Sequence, residues 1–156
     1  MERNLNCPSA QPQMAGASVF GVIQGTATEP RVGYLEAQLP LDERIVALAQ
    51  PVEPTEVFRI AAPCAGTCCQ HFADRRCQLV TRLVNILQPV ETSAPPCALR
   101  STCMWWQQEG VAACLRCPQI VTRMFGASDT LREAAAPVGL GVADGPAIRR
   151  TSVAED

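Results

Sequence analysis

Lysine is missing from this 156-residue chain, and its 13 basic side chains are all arginine. That bias reads as compositional, and it comes without any run of like charge. A net charge of −2 with no basic cluster gives nucleic acid no electrostatic footprint and a membrane surface no polybasic anchor. Aromatic residues are scarce at 4%, so the core is expected to be aliphatic, built from Ala, Val, Leu and Ile. No apolar run reaches the roughly 18 residues of a membrane span. The first residues, Met-Glu-Arg-Asn-Leu-Asn-Cys-Pro, lack the charged start and apolar stretch of a secretory signal. The expectation is a cytoplasmic protein with no nucleic-acid and no membrane partner.

Cysteine is what the chain has in excess, nine in all. A reducing compartment disfavours structural disulfides, so cysteine at this density points to metal or redox work. Eight of the nine fall between Cys64 and Cys117, spaced C-x3-C-C-x7-C, then nineteen residues, then C-x5-C-x10-C-x2-C. The first set is Cys64, Cys68, Cys69 and Cys77; the second is Cys97, Cys103, Cys114 and Cys117. Each supplies the four soft donors that a tetrahedral zinc site or an iron–sulfur cluster requires. Short loops between donors lower the entropic cost of gathering them, and Cys114-Leu-Arg-Cys117 does so most compactly. Zinc sites usually use two C-x2-C knuckles and here there is one, which favours one or two iron–sulfur clusters, of the 4Fe-4S type, over zinc. The spacing departs from the bacterial and plant-type ferredoxin patterns, so a ferredoxin fold does not follow. Adjacent side chains rarely reach one tetrahedral site without strain, so one of Cys68 and Cys69 is a candidate for a different centre. Cys7 lies far from the rest in sequence and reads as a free thiol rather than a ninth ligand.

Around the cysteines the charge is locally positive. From Ala61 to Phe125 there are six arginines against three acids. Arg75, Arg76, Arg82, Arg100, Arg116 and Arg123 are therefore available to offset thiolate charge. His71, the single histidine, is two residues from Cys69 and reads as a loop residue before it reads as a ligand. Trp105 and Trp106 flank Cys103; one of them filling an aliphatic core is the plainer reading, shielding a centre from water the sharper one. Glu109 reads as a helix-end carboxylate.

Periodicity supplies the frame. Residues 1–17 have no period and read as a flexible leader. Residues 18–60 read as a small β-rich element, with a hairpin from Ser18 to Glu36, a short helix over Leu41–Leu48 and a strand over Glu56–Ile60. Residues 61–125 form the cysteine-cluster domain. Its clearest helix covers Arg76–Leu87, where Leu79, Val80, Leu83, Val84 and Leu87 make one apolar stripe closed by Pro89. Further helices are expected over Thr102–Glu109, Val111–Arg116 and Gln119–Phe125. Residues 126–156, rich in Gly, Ala and Pro, read as a flexible tail. The fold class is α+β, a small N-terminal β element packed beside a mainly helical cysteine domain.

The segments Cys64-Ala-Gly-Thr-Cys68-Cys69 and Asp74-Arg75-Arg76-Cys77 resemble the zinc- or iron-chelating cysteine-cluster family, whose motif is CxxxCC followed by an Asp-Gly-Arg-Cys-like segment. Beyond those fourteen or so residues the chain resembles uncharacterised cysteine-rich bacterial proteins. The resemblance implies metal binding and supplies no reaction. The expected function is an iron–sulfur protein for electron transfer or redox sensing with a protein electron-transfer or regulatory partner, a carrier rather than an enzyme. The alternatives are a structural zinc-binding interaction module and a thiol-redox or metal-delivery protein.

Overall fold

The computed structural model describes residues 4–26, 29–120 and 129–135. The chain is α+β. Strands β1 (Asn6–Cys7), β2 (Ser18–Gly25), β3 (Pro30–Pro40) and β4 (Phe58–Pro63) form one antiparallel sheet in the order β1-β4-β2-β3. Between β3 and β4 lie the short helices α1 (Glu43–Ala49) and α2 (Pro54–Val57). Asp42 caps α1 by accepting from the backbone N–H groups of Arg44 and Ile45, both at 3.0 Å. The expected strand over Glu56–Ile60 starts later, at Phe58, because Pro54 and the Glu53/Glu56 capping pair turn the preceding residues into a helix.

Of the segment expected to be a flexible leader, the described residues 4–17 are packed instead. Its β1 pairs with β4, Asn6 opposite Pro63 and Cys7 opposite Ala62, and Ala10 is buried against Ile60 and Ala62. The physical reason is a free edge on β4 that β1 satisfies with backbone hydrogen bonds.

Past β4 the chain makes a two-stranded ribbon, β5 (Phe72–Ala73) and β6 (Arg76–Cys77), that runs directly into α3 (Gln78–Ile86). Asp74 and Arg75 at its tip both have positive φ, 54° and 63°, the geometry of a tight two-residue hairpin turn. Helices α4 (Met104–Glu109), α5 (Val111–Cys114) and α6 (Asp129–Ala135) complete the described residues. The apolar stripe of α3 is buried at Leu79, Val80 and Leu83, each contributing about 1.5–3 kcal/mol by leaving water. Those side chains meet Phe20 and Ala61 of the sheet, Leu99, Trp105, Ala113, Ile120 and Ala134 in one core. That core also contains Cys77, Cys103 and Cys117.

Alternation along β4 sorts its residues between two faces. Arg59 and Ala61 face the helical layer, while Ile60 and Ala62 join the smaller cluster with Ala10. A charged residue is thereby aimed into the cysteine domain.

Two of the other expected elements need adjustment. Of the segment expected to be a flexible tail, Asp129–Ala135 is the helix α6, with Ala134 fully buried and its carbonyl accepting from Arg82 Nε at 2.9 Å. Residues 126–128 and 136–156 lie outside the described residues. The helix expected over Gln119–Phe125 begins as a 3-10 turn, Cys117–Gln119, and 121–125 lie outside the described residues.

Arg75 holds a left-handed conformation that glycine adopts without strain, and its turn positions Cys77. Arg75→Gly is expected to raise stability by about 1 kcal/mol, strain relief outweighing the extra freedom of the unfolded chain. The midpoint of urea unfolding checks this; an unchanged or lower midpoint contradicts it.

Candidate metal centres

Two cavities lie against the N-terminal turn of α4, and each is lined by four cysteines. The larger is walled by Cys7, Cys64, Cys69 and Cys77, with His71, Met14, Met104 and Trp105. The smaller is walled by Cys97, Cys103, Cys114 and Cys117, with Phe20, Tyr34, Arg100, Trp105 and Trp106. The second set is the one the spacing predicts. The first differs from expectation by one residue: Cys7 faces the cavity, and Cys68 is exposed and does not line it.

Antiparallel pairing explains how Cys7 arrives. β1 and β4 put Cys7 opposite Ala62, and the N–H of Cys64 donates to the Leu5 carbonyl at 2.8 Å, so residues 57 apart in sequence become neighbours. A 3-10 turn over Gly66–Cys68 then brings Cys69 round, and the N–H of His71 donates to its Sγ at 3.3 Å. Cys77 arrives from the ribbon, opposite Phe72, and is held by Gln108 of α4. The Gln108 Oε1 accepts from the Cys77 N–H at 2.9 Å and Nε2 donates to the Cys77 carbonyl at 3.0 Å. At Cys69 the backbone becomes extended, with φ −92° and ψ 137°, which separates the neighbouring side chains. Sequence adjacency leaves that choice open; the 3-10 turn and the extended backbone at Cys69 make it.

In the second set Cys103 is the N-cap of α4, Cys114 closes α5 and Cys117 opens the following 3-10 turn. Their surroundings are rich in positive charge. Arg59, 3% exposed, donates through Nη2 to Cys117 Sγ at 3.3 Å and to the Pro8 carbonyl at 2.9 Å, and through Nη1 to the Cys117 carbonyl at 2.7 Å. Its guanidinium lies 5.3 Å from the centre of the Phe20 ring. Arg100 donates to the Pro95 carbonyl, lies 5.2 Å from the Trp106 ring and acts on the Cys114 thiol.

Burial dominates the acidity of these thiols. It pushes Cys7 up to about 12, with the nearby sulfurs of Cys77, Cys64 and Cys69 adding and the Ser9 N–H opposing. Cys103 is likewise pushed up to about 12 by burial, opposed by the N–H groups of Trp106 and Trp105 at the start of α4. Cys77, Cys97 and Cys114 are raised by the same cause. Thiols in this state carry their protons at neutral pH, and a metal must displace them. Tyr34 is raised too, first by burial and next by the Cys117 sulfur beside it.

Of the remaining expected residues, His71 does face the larger cavity. Its Nδ1 lies 3.3 Å from Arg82 Nη2, and burial, then Arg82, lowers its pKa below the ordinary histidine value, leaving it neutral at pH 7. Glu109 makes an ion pair with Arg76 at 2.9 Å that ties α4 to the ribbon. Arg116 donates to the Leu87 and Ala112 carbonyls, a structural role. Trp105 is 1% exposed and lines both cavities, so core filling and shielding coincide in one side chain.

Among the described residues no three His, Cys, Asp or Glu side chains are gathered around a single-ion position. About 290 Å³ of the larger cavity and about 20 Å³ of the smaller is open to the centre of a water-sized sphere. Each set supplies four thiol donors of the kind a metal centre requires.

Two outcomes are expected. Cys7→Ser should lose the metal of the first centre, whereas Cys68→Ser should keep the metal content of the parent, measured by elemental analysis of anaerobically purified protein; the reverse pattern contradicts this ligand set. Metal-free protein should lose stability as pH rises from about 9 towards 12, because folded Cys7 and Cys103 hold protons that the unfolded chain releases near its ordinary value of 9.0. Urea midpoints across that range test the sign.

Comparison with known proteins supplies no match: no family model, no curated protein and no solved structure matches the chain.

Proposed function

We propose that this chain is an iron–sulfur protein that transfers single electrons or senses redox state. Its two centres are held by Cys7, Cys64, Cys69 and Cys77, and by Cys97, Cys103, Cys114 and Cys117. A protein partner delivers or receives the electrons.

The observation that carries this reading is Arg59. A buried guanidinium costs several kcal/mol unless an opposite charge repays it. Its partners among the described residues are two carbonyls, an aromatic ring and Cys117 Sγ, with no carboxylate. A neutral thiol repays little. A metal-bound thiolate at Cys117 supplies the missing negative charge, and Arg100 beside Cys114 adds to the compensation.

Zinc would satisfy the same charge argument, but the about 290 Å³ of open space within the first thiol set and the single C-x2-C knuckle of the sequence favour a cluster. Burial favours electron transfer over exchange with solvent. The second centre is surrounded by Phe20, Tyr34, Leu99, Trp105 and Trp106, walls that exclude water and tune a cluster's potential. All nine cysteines are free thiols, so no disulfide occupies the set. When bound, the cluster supplies the redox change; the protein fixes its ligands, its dryness and its charge.

The test is an absorption spectrum of anaerobically purified protein before and after dithionite, with iron, zinc and acid-labile sulfide quantified on the same sample. A band near roughly 400 nm that bleaches on reduction, with matching iron and sulfide, is expected. A colourless protein with stoichiometric zinc contradicts the reading. Arg59→Met should reduce bound iron by about half, through loss of the second centre, while Arg59→Lys retains more. Iron equal to the parent's in Arg59→Met contradicts the charge argument.

A further inference from the structure

We propose that the two thiol sets form one coupled unit, in which an electron passes directly between the centres across Trp105. This deepens the iron–sulfur reading and rests on it.

The centres share their framework. Trp105 lines both cavities and is 1% exposed, so a single conjugated ring forms the partition between them. Helix α4 holds a ligand of each: Cys103 is its N-cap, and Gln108, one turn on, binds the backbone N–H and carbonyl of Cys77. β1 makes a second connection, since Asn6, next to Cys7, forms a β-bridge with Cys103 and donates from Nδ2 to Thr102 Oγ1 at 2.9 Å. Arg59 makes a third, reaching from the carbonyl of Pro8, adjacent to Cys7, to Cys117 Sγ. Two sites that merely shared a chain would not need three separate ties between their ligand loops.

Trp105 adds a polar observation. Its Nε1 is buried and has no hydrogen-bond partner among the described residues. A buried N–H left without an acceptor costs about 1–3 kcal/mol. A sulfide of a bound cluster would provide one, and a donor to a cluster's sulfur raises its potential by stabilising the more negative reduced form.

In the exchange one centre loses an electron and is oxidised, the other gains it and is reduced. No bond forms or breaks, and no proton moves. Because the centres touch the same ring, charge on one also disfavours reduction of the other.

The experiment is low-temperature electron paramagnetic resonance of the full chain, reduced with dithionite, with iron and sulfide measured on the same sample. The parent is expected to show a spectrum broadened by spin–spin interaction. Cys77→Ser and Cys103→Ser, each keeping about half the iron, are expected to give narrow signals whose sum does not reproduce the parent. Full loading with a parent spectrum equal to that sum overturns the coupling and leaves the iron–sulfur reading standing. Absence of iron and sulfide overturns both. Trp105→Phe keeps an aromatic ring, smaller than the indole, and removes the N–H; it is expected to retain the iron while lowering the midpoint potential of a centre. Unchanged potentials overturn the part given to the indole.

Discussion

Everything in this fold is arranged around the burial of charge-bearing groups in an aliphatic core. Arg59 is buried among carbonyls, an aromatic ring and a sulfur, while Cys77, Cys103 and Cys117 are buried beside Leu83, Leu99 and Ala113. Separately, a buried cation and a set of buried thiols are both liabilities. Together, with the thiols ionised by the proposed metal, each would offset the other. The sheet serves this pairing. Alternation along β4 sends Arg59 to the helical face, and the β1–β4 pairing delivers Cys7 to the same layer as Cys64.

Much of this frame was legible before the structure. The apolar stripe of α3 needs only helical periodicity, and the hairpin from Ser18 needs only alternation and turn residues, so both appear where expected. That Cys97, Cys103, Cys114 and Cys117 line one cavity was equally legible, because they lie within 21 residues of one another, close enough for local spacing to report spatial proximity. The first set was not. Cys7 reaches Cys64 through a pairing between strands 57 residues apart, and spacing carries no record of such a contact. Local reading therefore gave Cys68 the place that β-pairing gives Cys7.

Arg59 was missed for a related reason. Local charge marks the cysteine-rich segment as positive, and Arg59 lies just before that segment. A signal was present all the same: Phe58-Arg59-Ile60-Ala61-Ala62 is an apolar strand interrupted by one cation, and an interrupted buried strand asks what the cation faces. Tyr34 carries no such signal, since its place beside Cys117 depends on the irregular register of β2, where the pairing shifts between Val19 and Gly21.

The account's central claim is that each set of four thiolates surrounds several metal atoms rather than one. X-ray absorption at the iron edge of anaerobically purified protein tests it directly. A sulfur-only first shell with a second shell of metal–metal scattering is the predicted result. A first shell containing nitrogen or oxygen, or a sulfur shell with no metal beyond it, would contradict the account.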